Sequence, residues 1–242
     1  MSLIYNKKNK KKFSFLLYKK KFYKILRFKI FISNYIAPYI INYLFTIEFL
    51  LKWFSWFSYA KISQERSEFM NKALAHLHTI NKHKVKVTYL CFRCHLYKQG
   101  LLHDLSKYSY IELKTGFHYY QGFRSPIDAE KEEKGYSLGW LHHKGRNKHH
   151  WEYWLDFGVD GIYACKMPTN YVIEMFCDRV AASMIYQKEK YTDSSALEYY
   201  ENGRGKILIH PETDALIHHL LKYLSEHGLD QTIHYIVTEI KE

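Results

Sequence analysis

The sequence predicts an all-α domain that follows a Lys- and aromatic-rich N-terminal extension. From about residue 64 onward, apolar residues recur at intervals of three and four, which is the spacing of a helix face. The same region has no run of alternating polar and apolar residues, so strands are not predicted. It also has no Gly-rich phosphate loop and no Gly-x-Ser-x-Gly motif, which argues against P-loop nucleotidases and serine α/β-hydrolases.

Composition separates residues 1–69 from residues 70–242. The first 69 residues carry 14 Lys/Arg against 3 Asp/Glu and contain no His or Gly, whereas the remainder carries 22 against 21. The net charge of +12 therefore comes almost entirely from the extension. For this reason we predict no nucleic-acid binding by the main domain.

The extension contains an apolar segment, residues 31–57, that is long enough for a membrane span of ~20 residues. Its Lys-rich flank would then lie on the cytoplasmic side, but Asn34, Pro38 and Glu48 weaken this assignment. Three interpretations stay open. The segment is a membrane anchor or surface-lying helix, giving membrane contact through residues 1–57; it is a helix packed on the domain; or it is a non-native segment, translated from a start upstream of Met70.

Cysteine usage indicates the compartment. The four cysteines are Cys91, Cys94, Cys165 and Cys177, and no signal peptide with a small-residue cleavage site precedes them. A reduced, cytoplasmic setting is therefore expected, with membrane association only through the N-terminal segment. The Cys91–Cys94 spacing also occurs in redox and zinc motifs, but structural thiols are favoured because no second such pair is present.

The first helix of the main domain is expected from about residue 64 to about His95. Helical spacing assigns its buried face to Leu74, Leu77, His78, Asn81 and Val85. Gly100 is expected to end this helix. A second helix is expected to begin near Leu101 and to carry His103 and Asp104.

Turn residues and caps bound the later elements. We expect a turn at Gly122–Pro126, a solvated charged run at 127–134 and a short helix at Tyr136–His143. Residues 151–157 are aromatic and are predicted to be helical. The remaining helices are expected at Tyr171–Lys190, Ser194–Asn202, Pro211–Glu226 and Leu229–Lys241.

The most informative motif is Leu101–Lys107, in which His103 and Asp104 are adjacent. Imidazole and carboxylate together bind divalent metals of intermediate hardness, such as Mn, Fe, Zn or Ni. Neighbouring residues on a helix point about 100° apart, so both side chains could reach one site above it. Asp104 has two oxygens and could bridge two metals, while His83 and Asp178 are candidate ligands from other helices.

This arrangement resembles the HD superfamily of metal-dependent phosphohydrolases, in which a His, a His-Asp doublet and a later Asp lie on successive helices. The resemblance implies an HD-domain-like helical bundle and the ligands His83, His103, Asp104 and Asp178. The pairs His142-His143 and His149-His150 resemble those of the two-metal branches. They imply His142 and His150 as second-metal ligands, and hence one or two divalent metal ions. The stretch from Gly-Phe-Arg-Ser-Pro-Ile-Asp-Ala-Glu-Lys at 122–131 through Trp140–Trp154 is more specific. It looks like an uncharacterised family of HD-like proteins from bacteria and phages, and this resemblance covers about residues 70–240.

The resemblance implies hydrolysis of a phosphate ester, of a nucleotide-like or other small molecule, by a metal-bridged water. Lys107 and Arg146 are expected to stabilise charge on the phosphate, and Asn147 is expected to bind the substrate. His143 or His149 is expected to protonate the leaving oxygen, because the pKa of histidine lies near neutrality. The predicted partner is thus a small phosphorylated molecule.

Two alternatives to hydrolysis remain open. A di-iron oxygenase on an HD-type scaffold would also use a site with four or five imidazoles. A non-catalytic, membrane-associated ligand-binding module would use the site for structure or sensing, and it depends on residues 1–57. Metal identity separates the first alternative from hydrolysis.

Overall fold

The computed structural model describes Glu48 and residues 63–240, and the fold below is that of residues 63–240. The expectations for residues 1–57 lie outside these residues, apart from Glu48. The nine α-helices of this part are α1 (Ser63–Arg93), α2 (Tyr97–Leu102), α3 (Tyr110–Tyr119), α4 (Pro126–Lys134), α5 (Leu138–Lys144), α6 (Thr169–Gln187), α7 (Ser195–Arg204), α8 (Pro211–His227) and α9 (Leu229–Tyr235). Short 3-10 turns lie at Leu105–Tyr108, Trp151–Trp154 and Lys188–Lys190, and a π-turn lies at Ile236–Ile240.

The predicted all-α class is confirmed, with one small exception. Residues 155–164, which follow the 3-10 turn, form an antiparallel hairpin of β1 (Leu155–Gly158) and β2 (Gly161–Ala164), paired Leu155 to Ala164 and Gly158 to Gly161. The helical prediction for residues 151–157 is therefore wrong beyond Trp154. A search for alternating polar and apolar residues misses the hairpin because each strand has only four residues and none of them is buried.

The core forms where α6 packs against α1 and α8. The buried apolar side chains of α6 include Ile173, Phe176 and Val180, each fully or almost fully removed from solvent. They meet Val87, Leu90 and Cys91 of α1, Cys94 just after it, and Ile217, Leu220, Leu221 and Leu224 of α8. Cys91, Cys94 and Cys177 form no disulfide and lie within this core, as expected for structural cysteines.

Helix α1 begins and ends close to the expected residues but buries a different face. Leu74 is 56% exposed and Val85 is 70% exposed, so the predicted buried face is wrong. The buried stripe of α1 is instead Ala73, His76, Ile80, His83, Val87 and Leu90, and it continues to Cys94 just after the helix. Two histidines occupy this stripe, which is why apolar spacing alone selects the other face.

The charged run 127–134 forms α4 and is only partly solvated. Ser125 caps the helix by accepting a hydrogen bond from the amide of Ile127, and Pro126 occupies its first turn. Glu130 is buried and accepts hydrogen bonds from the hydroxyls of Thr115 and Ser137. This carboxylate therefore ties α3, α4 and the start of α5 together, which fixes the position of the histidines on α5.

Among the helices described in residues 63–240, none has the length and apolar character needed to cross a bilayer.

Candidate metal centre

The doublet His103-Asp104 lies in a turn. The prediction that a helix carries both residues is therefore wrong. Helix α2 ends at Leu102, and Asp104 adopts a left-handed backbone with φ 53°. The prediction that Gly100 ends α1 is wrong, because α1 ends at Arg93 and Gly100 lies within α2. Lys84 of α1 holds the turn, because its ammonium donates to the carbonyls of Leu101 at 3.1 Å and His103 at 2.7 Å. The turn directs both side chains into the interior, where each is 1% exposed.

Two groups of candidate metal ligands share Asp104. Each group brings one ligand atom per residue to within 4.8 Å of the others. The first group, called site 1, is His83, His103, Asp104 and Asp178. The second, called site 2, is Asp104, His143, His149 and His150. Asp104 is therefore the common residue, as expected for a bridging carboxylate.

The two oxygens of Asp104 face different sites. Oδ2 lies 3.2 Å from His103 Nε2 and 3.7 Å from His83 Nε2, in site 1. Oδ1 lies 3.3 Å from His143 Nε2 and 3.4 Å from His149 Nε2, in site 2. Most of these distances are long for hydrogen bonds. They match the separation of about 3.3 Å between two ligand atoms that each lie about 2.0–2.1 Å from one tetrahedral metal.

Several buried polar atoms at the centre lack hydrogen-bond partners within the described part of the chain. They are the Nε2 atoms of His103, His149 and His150 and both oxygens of Asp104. The Lys107 ammonium lies 2.5 Å from Oδ2 of Asp104 and forms an ion pair with it. Because buried polar groups are normally paired, a cluster of unpaired nitrogens around a carboxylate has the donor set of a divalent-metal site.

Carboxylates behind the imidazoles orient them. Glu174 Oε1 lies 2.9 Å from His103 Nδ1 and 3.1 Å from His149 Nδ1. Glu112 Oε2 lies 2.8 Å from His143 Nδ1. A carboxylate accepts, so each Nδ1 donates its proton, and Nε2 is the ring nitrogen that faces Asp104 and could bind a metal. The set His103, His149 and Glu174 is therefore a hydrogen-bonded support of the two sites rather than a third one.

The charges of the centre suit a divalent cation. Burial opposes ionisation of Asp104, yet its interactions with His103, Lys107 and His143 hold the pKa of Asp104 well below the usual range. Burial likewise opposes ionisation of Asp178, but contacts with His103 and His83 lower its pKa well below normal. Both carboxylates are therefore ionised near neutral pH, which metal ligation requires.

The histidines differ in protonation. Burial, with the charge of Lys107, lowers the pKa of His83, and burial lowers the pKa of His150 far below its usual value. Burial also disfavours the cationic form of His103, but the Asp104 carboxylate outweighs it and raises the pKa of His103. His83 and His150 are thus available as neutral ligands, whereas a metal bound at His103 must displace a proton.

A cavity of about 200 Å³ adjoins the centre. His83, His143, His150 and Asp178 line it on the side of the two sites, together with Lys107. The side chain of Lys107 is 27% exposed, and its ammonium keeps its charge because Asp104 and Asp178 raise the Lys107 pKa against the opposing effect of burial. The cavity therefore gives a small molecule access to both candidate sites and to one cation.

The structure brings together most of the residues predicted to bind metal, namely His83, His103, Asp104, His150 and Asp178. It does not bring in His142, whose Nδ1 is 2.7 Å from Glu112 Oε1 and which belongs to neither site. His143 occupies the position expected for His142. Adjacent residues on α5 point in different directions, and only the ring of His143 reaches Asp104.

The residues predicted to act on the substrate are placed differently from expectation. His143 and His149, expected as proton donors, present Nε2 atoms to Asp104 as candidate ligands. Arg146 is exposed, its guanidinium donates to the carbonyl of His142, and it does not line the cavity. Asn147 is buried and does not line the cavity; its amide nitrogen donates to the carbonyl of His143 and to the hydroxyl of Ser106, each at 2.8 Å.

Sequence reasoning missed the two supporting carboxylates, Glu112 and Glu174. A signal for Glu174 was present, because it precedes Asp178 by four residues and so lies on the same face of α6. No comparable signal marks Glu112. Its role depends on the packing of α3 against α5, which brings its two oxygens to His142 and His143.

The helical fold and this centre define a class, that of helical proteins with a buried histidine- and carboxylate-rich candidate metal site. The chain belongs to a family of unknown function, DUF5662, whose model matches residues 72–223. No curated protein and no solved structure matches the chain. The resemblance to the HD superfamily stays a prediction.

Proposed function

We propose that the protein is a metal-dependent hydrolase of phosphate esters that holds two divalent metal ions bridged by Asp104. One observation carries the proposal: the two oxygens of a single buried carboxylate face separate sets of candidate ligands. Two metals a few ångströms apart are a recurrent arrangement for displacement at phosphorus. The carboxylate-backed imidazoles of both sites support it further.

The chain's own residues have definable roles in this proposal. His83, His103, Asp104 and Asp178 hold one metal, and Asp104, His143, His149 and His150 hold the other. Bound metals would supply a water of lowered pKa and would neutralise charge on the phosphoryl oxygens. Lys107, which lines the cavity, offers an ammonium to the same oxygens. Glu174 and Glu112 keep the imidazoles in the ligating tautomer.

Counting metals in Asp→Asn variants tests the bridge. We expect about two metals per chain in the wild type. Asp104→Asn should lose both, because it contributes to both sites, whereas Asp178→Asn should lose only the metal of site 1. Asp230→Asn, a control at an exposed aspartate outside the centre, should keep both. Elemental analysis by mass spectrometry after dialysis against a weak chelator gives the counts. Full metal content in Asp104→Asn would contradict the bridge.

Turnover tests the reaction itself. The full-length protein, loaded with the metal that co-purifies, should release phosphate from small phosphate monoesters. Asp104→Asn should release none under the same conditions. A wild-type protein with two bound metals and no phosphate release from such esters would rule out the hydrolase while leaving the metal centre intact.

A second candidate, a di-iron oxygenase, is favoured by one specific feature. The two sites together contain five imidazoles, and the adjoining cavity has many apolar side chains, which suits an oxidation of a carbon-rich substrate. Iron as the co-purifying metal, an absorbance change on exposure to air and oxygen uptake would favour this activity. A redox-inert metal such as zinc would exclude it.

A further inference from the structure

The cavity beside the centre has a second polar end, formed by His76. We propose that the cavity binds a small phosphate monoester with an uncharged polar group opposite its phosphate, and that His76 hydrogen-bonds this group. The inference rests on the proposed hydrolase function and specifies the substrate class of that same site. It assigns a binding residue that belongs to neither candidate metal site.

The cavity runs along two helices away from the metal sites. Helix α1 lines it with His76, Thr79, Ile80 and His83, which share one helix face. His76 and His83 are two turns apart, or ~10 Å along the axis. Helix α6 lines it with Asp178, Ala182, Ile185 and Tyr186, also over two turns. Each set has a site 1 residue at one end, His83 on α1 and Asp178 on α6. The opposite end of the cavity, where His76 lies, is therefore about two helical turns from site 1.

The charges and size of the cavity limit the ligand to one phosphate. Among the described residues, Lys107 is the only Lys or Arg that lines it. Its volume of about 200 Å³ is below the ~300–1,000 Å³ typical of pockets for drug-sized ligands. A polyphosphate would bring several charges into walls that include Ile80, Trp140 and Ile185 without further cations to pair them. A molecule with a single phosphate at the metal end and no other charge suits both the size and the charges of the cavity.

His76 supplies the polar contact at the far end. It is 9% exposed, and its Nδ1 is buried without a hydrogen-bond partner in the described part of the chain. Its ring edge lies against Gly116, where an added Cβ would be 1.9 Å from His76 Nε2, so the glycine makes room for the imidazole. A buried histidine without a partner, in a cavity wall, is available to a ligand.

The charge state of His76 determines which chemical group of a ligand it can hydrogen-bond. Burial, helped by the charge of Lys107, lowers the pKa of His76 to about 4, so the ring is neutral at pH 7. A neutral imidazole offers one donor and one acceptor. It therefore pairs with a hydroxyl, carbonyl or amide without burying a second charge, whereas a carboxylate at this end would be desolvated with no cation of the described residues beside it.

Three phosphonates, in which a P–C bond replaces the ester, test the inference by equilibrium binding. They are benzylphosphonate, 4-carbamoylbenzylphosphonate and 4-carboxybenzylphosphonate, which carry no polar group, a neutral amide and a charge opposite the phosphorus. Isothermal titration calorimetry with the metal-loaded full-length protein should show the amide ligand binding about tenfold tighter than benzylphosphonate, the effect of one added hydrogen bond. The carboxylate ligand should gain no such advantage.

Matched variants locate the effect. His76→Leu should abolish the tenfold preference for the amide and leave the affinity for inorganic phosphate within about twofold. His78→Leu, the same change at an exposed position of the same helix, should keep the preference. If His76→Leu does not fold, the comparison of the three ligands on the wild type still decides.

The outcomes separate this inference from the proposed function. Equal affinities of the wild type for the three ligands, or an amide preference that survives in His76→Leu, would overturn the role of His76. If that happened while inorganic phosphate still bound in a metal-dependent way, the hydrolase proposal would stand. A metal-loaded protein that binds neither inorganic phosphate nor benzylphosphonate would overturn both.

Discussion

Replacing Glu174 by glutamine should weaken both metals at once, because its carboxylate supports one imidazole in each site. Oε1 accepts from His103 Nδ1 at 2.9 Å and from His149 Nδ1 at 3.1 Å, and the side chain is 6% exposed. Glutamine keeps the shape and one acceptor oxygen but removes the charge. The variant therefore tests electrostatic support of the ligands with little change in packing.

The size of the effect follows from these two contacts. A hydrogen bond to a charged group contributes about 1.5–3 kcal/mol and a neutral one about 1 kcal/mol. Each imidazole should thus lose ~1 kcal/mol of support, and the pair ~2 kcal/mol. At 1.4 kcal/mol per factor of ten, the product of the two metal binding constants should fall roughly 30-fold. Loss of a supporting group in known metal sites costs 10–100-fold, which agrees.

Competition with a chelating dye measures the two binding constants. Both should fall about fivefold in Glu174→Gln, whereas in Glu112→Gln only the site 2 metal should weaken, since Glu112 supports His143 alone among the ligands. Circular dichroism shows whether the variants keep their helices. Unchanged affinities in Glu174→Gln, or a loss confined to one metal, would refute the inference that this carboxylate orients both rings.

Two further predictions concern stability. Gly116→Ala should lower the free energy of unfolding, measured by chemical denaturation, by about 1–3 kcal/mol, because the new Cβ displaces His76. Gly203→Ala is the control, at a helical glycine with no atom within 4 Å of the new Cβ. It should be neutral or stabilising by up to ~1 kcal/mol in the same assay. The hydrogen bond from Arg204 lowers the pKa of Asp214 despite burial, so Asp214→Asn should cost up to ~1 kcal/mol near pH 7. The stabilisation by ionised Asp214 is complete above the aspartate pKa of the unfolded chain, about 3.9, and is lost as the pH falls through the lowered pKa of the folded state. If Asp214→Asn still lowered the free energy of unfolding as much at pH 2 as at pH 7, this account of Asp214 would be contradicted.

Helix positions followed from local signals, because they depend on a few neighbouring residues. Ser125-Pro126 begins α4 and Pro211 begins α8, where capping and a fixed φ favour a first turn. The buried face of α1 could not be predicted from local signals. It carries His76 and His83, and a search for apolar spacing assigns histidines to the surface unless a metal or a ligand gives them a reason to be buried.

The candidate ligands could be predicted by type, but the turn that presents them could not. A histidine beside an aspartate indicates a metal site whether it lies on a helix or between helices. The left-handed backbone of Asp104 is held by contacts from elsewhere in the chain, including the bonds from Lys84 to the carbonyls around it. Aspartate tolerates this conformation better than most residues, which permits it without predicting it.

The choice between His142 and His143 shows where local reasoning ends. Both lie on α5, and both give an Nδ1 to Glu112, at 2.7 and 2.8 Å. Glu112 therefore does not distinguish them, and neither does their chemistry. What distinguishes them is the second nitrogen: only Nε2 of His143 lies 3.3 Å from Asp104 Oδ1. That distance depends on how α5 docks beside the turn after α2. Such docking is set by contacts far apart in sequence, such as the bond from Asn147 to Ser106.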